Sequence, residues 1–322
     1  MEQHQKKIAI VLPVYNMEEF LSECIDSILS QTYTNFDIFA VDDASTDSSL
    51  EILYRHQKKD SRIIVLKREN NGGLSAARNT ALDEIEKRQT YDYISFCDSD
   101  DIIVTDMIEE LVAAAIREHA DVASCCFDRI DFQEKDFDRF STFCSFSPEL
   151  FVEQIFSLGR WRRVRGNGGY VWLRLFSAPK IKGIRFLSEK TLSEDELFCM
   201  TVATKVSKIT YIPKNLYHYR LRPGSLSNSK TFRRKLLQSR IKSLPLSKQI
   251  SHYATLVNAC AIARLSKNNM DCISPKTALQ ILPQLKLGKQ INLISRKEYW
   301  RFFFFVYKHK TFKSMFNRQN EG

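Results

Sequence analysis

An α/β fold built around a largely parallel sheet is what this 322-residue chain predicts, and two patterns carry that reading. Over the first 126 residues, short β-branched runs alternate with amphipathic stretches of helical length, the pattern of strand–helix units. The Asp-rich and Gly-rich clusters also follow closely on apolar runs, and open α/β sheets bind their ligands beyond the carboxyl ends of the strands. Strands are expected over residues 8–12, 36–41, 63–67, 91–97 and 122–126, with helices in the gaps. The clearest helix is 19–30, where Phe20, Cys24, Ile25 and Ile28 recur at helical spacing. Residues 127–229 are mixed, with a Gly-rich RGNGGY and a segment around Trp172, and are expected to close over a ligand site. From residue 230 the chain turns helical and basic, broken near Pro245, Pro275 and Pro283.

Composition narrows the class. Hydrophobic residues at 43% and charged residues at 27% are globular values and exclude wholesale disorder. None of the eight cysteines forms a CxxC pair, which argues against a zinc ribbon or a redox motif and fits free thiols in a reducing cytoplasm. The opening MEQHQKK does not read as a secretory signal, and no run of about 18 apolar residues is present to span a bilayer. The net charge of +10 is uneven: from Asn228 onward there are 19 Lys and Arg against 3 Asp and Glu, while the rest is mildly acidic. Such a tail implies an anionic partner: nucleic acid, phospholipid head groups or a phosphorylated acceptor.

Four clusters can carry chemistry. In FCDSDD (96–101), Asp98 and Asp100 lie two apart after an apolar strand, so on extended backbone both point one way and can converge on Mg²⁺ or Mn²⁺. The same residues also suit a solvated turn in which Asp101 caps the next helix. In VDDASTDSS (41–49), Asp47 suits a helix N-cap, whereas Asp42 and Asp43 suit hydrogen bonds from a nucleobase N–H or ribose hydroxyls. In NNGGLSAARN (70–79), Gly72 and Gly73 permit close backbone approach. The Arg78 guanidinium suits phosphate or base-edge oxygens, an isolated surface arginine being the default. In LSEDELF (192–198), Glu194, Asp195 and Glu196 open a helix. The helix macrodipole alone favours acids there, and on sequence physics that structural role is preferred.

Taken together, PVYN (13–16), SQTY (30–33), VDDASTD (41–47), NNGGLSAARN (70–79) and CDSDD (97–101) resemble the nucleotide-sugar domain of family-2 glycosyltransferases. The resemblance continues through 171–186, SEDELF (193–198) and LYHYRLRPGSLS (216–227), a set similar to bacterial enzymes that build capsule, lipopolysaccharide or exopolysaccharide. It implies a GT-A fold: a Rossmann-like, mostly parallel sheet flanked by helices. Residues 1–126 would be the nucleotide-sugar half, 127–229 the acceptor half and 230–322 a helical basic extension. It also implies an inverting, divalent-metal-dependent transfer from a nucleotide-sugar, a UDP-sugar first, to a glycan or lipid-linked acceptor, with no nucleic-acid partner. By position, Pro13 and Tyr15 would line the base pocket, Asp43 would bond the base, and Arg78 would help hold the nucleotide. Asp98 would reach ribose or metal, Asp100 would ligate Mn²⁺ or Mg²⁺, and Asp195 would be the general base, which reverses the structural preference for LSEDELF. His218 and Arg220 are further candidates for contact with donor phosphates or acceptor. One departure is Arg174, where relatives commonly have lysine.

Two other functions compete: a sugar-phosphate nucleotidylyltransferase, and a non-catalytic module binding a membrane or nucleic acid through its tail. Over residues 296–316, Trp300, Phe303, Phe304 and Tyr307 group on one side of a helical wheel, with Lys297, Arg301 and Lys308 forming a stripe. This suits a helix lying on the inner face of the cell membrane or, equally, one packed on the catalytic domain.

Overall fold

The computed structural model describes residues 5–130, 143–157, 168–187, 194–222 and 232–265, with isolated residues between 273 and 302. In chain order its elements are β1 (Ile8–Val14), α1 (Leu21–Leu29), β2 (Phe36–Asp42), α2 (Ser49–Lys59), β3 (Ile63–Lys67), α3 (Leu74–Arg88), β4 (Tyr93–Phe96), β5 (Ile102–Ile103) and α4 (Met107–Glu118). There follow β6 (Val122–Arg129), β7 (Cys144–Phe146), α5 (Pro148–Ile155), a 3-10 turn (Val171–Leu173), β8 (Arg174–Ser177), α6 (Ala178–Ile181), α7 (Glu194–Ala203), β9 (Ile209–Tyr219), α8 (Phe232–Lys242), α9 (Leu244–Ile250) and α10 (His252–Leu265).

One sheet runs β3-β2-β1-β4-β8-β6-β9-β5, with β7 paired to β9. The first four strands are parallel. Beyond β4 the sheet is mixed: β8 lies antiparallel between β4 and β6, and β6 is parallel to β9. All five expected strands are present. The four others were hidden for physical reasons. β5 and β7 have two and three residues. β8 opens on Arg174, a charge at a fully buried position that breaks the apolar pattern. In β9, Pro213 lies where the pairing with β6 changes register, as a proline in a strand must.

Strand alternation divides two cores. Ile8, Ile10 and Leu12 face Leu21, Cys24, Ile25 and Ile28 of α1 and Met107, Ile108 and Leu111 of α4. Ala9 and Val11 face the opposite layer, with Ala77 and Ala81 of α3, Phe198 of α7 and residues of α10. Cys24, Cys97, Cys125, Cys126, Cys199 and Cys260 are buried, as small core hydrophobes.

The C-terminal helices join this second core. Val257, Cys260 and Ile262 of α10 are buried in it, and Arg240 of α8 forms a two-pronged ion pair with Glu196 of α7, at 3.1 and 2.8 Å. Tyr299 and Phe302 are also buried in this core, so at those two positions the packed alternative for 296–316 holds. The remainder of that segment, apart from Glu298, lies outside the described residues. Among the described residues, no helix is long and apolar enough to cross a membrane.

Phe96 joins the sheet to the second core, meeting Phe176, Phe186 and Phe198 edge-on at 5.9, 5.6 and 5.7 Å. Phe96→Ala should therefore lower unfolding stability by about 3–5 kcal/mol in urea titrations. A loss below ~1 kcal/mol would contradict the anchoring role given to this ring.

Candidate active site

The loops after β1 and β2 are stitched together through polar side chains. Asn16 Oδ1 accepts from Thr46 N at 2.8 Å, Ser49 Oγ accepts from Met17 N at 2.7 Å, and Asp47 Oδ2 accepts from Glu18 N at 3.0 Å. This division of labour corrects the expected cap: Ser48 is the N-cap of α2, and Asp47 reaches Ser49 N (2.9 Å) from one position earlier while its other oxygen is held by Glu18. Pro13 is buried at the end of β1, and Tyr15 stands 43% exposed two residues on.

Asp43 is buried and accepts from Gly72 N (3.1 Å), Gly73 N (2.7 Å) and Arg68 Nη1 (2.5 Å). The close backbone approach read from NNGG is thus an approach to Asp43, with Gly73 at φ +82°, where a side chain would be strained. Its neighbour Asp42 is fully buried. One oxygen accepts from Ser45 N at 3.3 Å, and the other, Oδ1, has no partner among the described residues. The doubled aspartate marked both residues as acceptors in the sequence, and Asp42 Oδ1 is the oxygen left open.

Arg78 is the centre of the site. It lies on α3 with no exposed surface, and its guanidinium reaches Asp98 Oδ1 at 2.8 Å, Asp195 Oδ1 at 2.5 Å and Glu194 Oε1 at 3.4 Å. The expectation of an isolated surface arginine does not hold, because two acidic motifs nearly 100 residues apart in sequence converge on it. Burial works against its charge, but Asp195, Asp98 and Glu194 more than offset this and raise its pKa. The pKa values of Asp98 and Glu194 are raised as well, which for an acid disfavours the charged form. Burial pushes Asp98 up to about 6, with Asp195 and Asp100 adding and Arg78 opposing. Glu194 is pushed up to about 7, by burial first and Asp195 next.

The CDSDD segment is not extended. Asp101 N donates to Asp98 O at 3.1 Å, closing a turn after β4. Asp101 does not cap a helix either. It is buried, accepting from Tyr217 Oη at 2.7 Å and Arg220 N at 2.8 Å, while Asp106 takes the N-cap of α4. Burial, then Asp100 and Asp98, hold the Asp101 carboxyl well above its ordinary range. The end of β9 braces this turn: Tyr217 Oη accepts from Asp98 N (3.2 Å), Arg220 Nε donates to Asp100 O (2.8 Å), and Arg222 Nε donates to Asp100 Oδ2 (2.5 Å). Tyr217 and Arg222 were not singled out, because nothing local in YHYRLR reveals that it returns to the Asp turn. His218, one residue along the strand from Tyr217, pairs with Asp128 instead.

Asp98 and Asp100 therefore bond different arginines, though carboxylate oxygens are the donors a hard divalent cation takes. The carboxyl groups of Asp98, Asp100, Asp101, Glu194 and Asp195 outnumber the guanidinium groups of Arg78, Arg220 and Arg222 among these described residues. The Asp98 and Asp100 side chains keep 24% and 16% of their surface exposed. Among the described residues, no three His, Cys, Asp or Glu side chains are grouped so as to hold a metal ion by themselves. An ion here would complete its shell with water and substrate phosphate, as Mg²⁺ commonly does.

Residues 9–179, covering β1 to α6, match Glycosyl transferase family 2. The chain belongs to this family. Among relatives of this family-2 glycosyltransferase, GlyA of Streptococcus pneumoniae serotype 4 is 34% identical over 235 residues, which are 69% of this chain and 31% of GlyA. The poly(ribitol-phosphate) beta-glucosyltransferase of Bacillus spizizenii is 33% identical over 221 residues, 66% of this chain and 32% of that protein. The aligned part thus spans about a third of the length of both. TarS 1–349 of S. aureus, solved in complex with UDP-GlcNAc, superposes with a TM-score of 0.64 at 21% identity, covering 91% of this chain and 82% of that one. That likeness shows the GT-A-like fold. Family membership sets aside the nucleotidylyltransferase alternative.

Replacing the central arginine tests how far the site depends on it. Arg78→Met removes the cation shared by three partly buried acids and should cost about 1–3 kcal/mol in denaturant titrations. Arg78→Lys should recover only part of that, because one ammonium lacks the planar fork that reaches Asp98 and Asp195 together. Full recovery with lysine would show that the fork geometry is not needed.

Proposed function

We propose that the chain is an inverting, divalent-metal-dependent glycosyltransferase, moving a sugar from a nucleotide-sugar, a UDP-sugar first, to a hydroxyl of a glycan or lipid-linked acceptor in surface-polysaccharide biosynthesis. The observation that supports it best is Arg78, which holds Asp98 of the donor motif and Asp195 of the acceptor-side motif on one guanidinium. Family membership and a relative named for a poly(ribitol-phosphate) acceptor point the same way, as does a structural neighbour solved with UDP-GlcNAc.

In this reading Pro13 and Tyr15 line the base pocket. Asp43 uses acceptor capacity left over from the Gly72 and Gly73 amides to bond the base. Arg78 serves the nucleotide through Asp98, which faces ribose or metal. Mn²⁺ or Mg²⁺, held by Asp100 and Asp98, would neutralise charge on the departing diphosphate. Asp195 takes the proton from the acceptor hydroxyl as that oxygen attacks the anomeric carbon and the bond to the diphosphate breaks, inverting the centre. Arg78 Nη1 and Val171 N, which donates to Asp195 Oδ2 at 3.2 Å, fix the orientation of this base. The excess of cations after residue 228 supports an anionic acceptor or the inner membrane surface as partner, with the protein in the cytoplasm.

Asp195→Asn should lower transfer by about 10²–10⁴-fold, the range of a positioned base, while leaving thermal stabilisation by UDP and Mn²⁺ unchanged. Undiminished transfer in this variant would remove Asp195 from the mechanism. Asp100→Ala should abolish the Mn²⁺-dependent part of the UDP-induced melting shift. A shift that survives intact would place the metal elsewhere.

A further inference from the structure

Gly168, Gly169 and Tyr170, the described part of GNGGY, are not among the donor-site candidates, yet the structure expends several unusual features on the last of them. Tyr170 is 41% exposed, one of few large hydrophobic residues at the surface among the described ones. Its ring stacks on Trp172 at 4.8 Å with an interplanar angle of 24°. Trp172 in turn stacks on Tyr217 at 4.3 Å and lies parallel to Tyr219 at 5.9 Å. Phe127 closes the group edge-on to Tyr170, Trp172 and Tyr219. A column of rings thus rises from the buried Tyr217, which bonds the Asp98–Asp101 turn, and ends on an exposed tyrosine.

The backbone beneath Tyr170 is equally constrained. Gly168 has φ +148°, and an added Cβ there would come within 2.8 Å of Tyr170 Cε2. At Gly169 an added Cβ would lie 2.7 Å from Glu196 Cα, so only glycine lets this segment lie against α7. Arg174 is buried, and its guanidinium donates to the carbonyl oxygens of Gly168 and Tyr170. No carboxylate pairs with it among the described residues, and its Nε has no partner. A buried cation without a counter-ion is costly, and here it clamps one short arch. The next residue, Val171, donates its N–H to Asp195. The exposed ring therefore sits one residue from the group that holds the candidate base.

We propose that Tyr170 is the stacking platform for the acceptor sugar, a pyranose ring whose apolar C–H face lies on the phenol and so brings a hydroxyl to Asp195. The Gly168–Val171 arch, clamped by Arg174, sets the height of that platform. This rests on the glycosyl-transfer reading given above. Sugars present a C–H face and a hydroxyl rim, and a rigid, partly exposed aromatic ring matches the first while Asp195 matches the second. A ring pre-ordered by a stack and a clamped backbone also loses little freedom on binding. The platform belongs to the acceptor and not to the donor, since its backbone joins Asp195, whereas the base-pocket candidates Tyr15 and Asp43 follow β1 and β2.

Saturation-transfer NMR tests this, using methyl β-D-glucopyranoside, methyl β-D-galactopyranoside and methyl 2-acetamido-2-deoxy-β-D-glucopyranoside in the presence of UDP and Mn²⁺. At least one glycoside should show transfer concentrated on ring C–H protons. Tyr170→Phe should keep it, while Tyr170→Ala and Tyr170→Leu should weaken binding roughly 3–10-fold, the scale of one aromatic contact. The leucine variant still covers Trp172 without an aromatic face, which guards against loss of folding in the alanine variant. Melting shifts with UDP and Mn²⁺ should be the same in all four proteins. UDP binding with no glycoside signal, or with a signal equal in wild type and Tyr170→Leu, would overturn the platform while leaving the donor reading intact. Absence of any UDP shift in the wild type would overturn both.

Discussion

Arg78 carries a full charge where water does not reach, and the arrangement of the site follows from how that charge is balanced. Its partners, Asp98 and Asp195, come from a strand-end turn and a helix start that are far apart in sequence. Both carboxylates are only partly exposed, and burial and like charge push Asp98 up to about 6. The guanidinium fork makes the two compatible, since one Nη group serves each side. The two acidic motifs are thereby held in one place.

Around that centre, rigidity comes from backbone groups whose hydrogen bonds end on motif side chains. Asp43 takes two glycine amides, Asp101 takes the amide of Arg220 and the hydroxyl of Tyr217, and Asp47 joins α2 to the loop after β1. Each acid satisfies donors that a loop would otherwise expose or leave unpaired. The C-terminal helices contribute as well, because Arg240 grips Glu196, the neighbour of Asp195 on α7. The extension is thus mechanically continuous with the helix that carries the candidate base.

The parallel half of the sheet was legible because its central strands β1 and β2 are buried on both faces and read as apolar runs, as IAIVLPV does. β8 and β9 were not, since a buried arginine and a strand proline contradict strand patterning and are tolerated only through tertiary contacts. Candidate donor-site residues were visible as motifs, but their partners were not. Asp101 looked like a cap and is a buried acceptor. Arg78 looked exposed and is fully enclosed.

By itself, the order of residues determined which side chains could do chemistry and that they stand at strand ends, because periodicity and motif spacing are local properties. Only the tertiary structure decided which acid meets which cation. It also decided that Tyr170 stacks on Trp172 while Val171 donates to Asp195, and that the tail is packed where Tyr299 and Phe302 are buried. Those outcomes depend on burial and on contacts between segments remote in sequence, which no local pattern encodes.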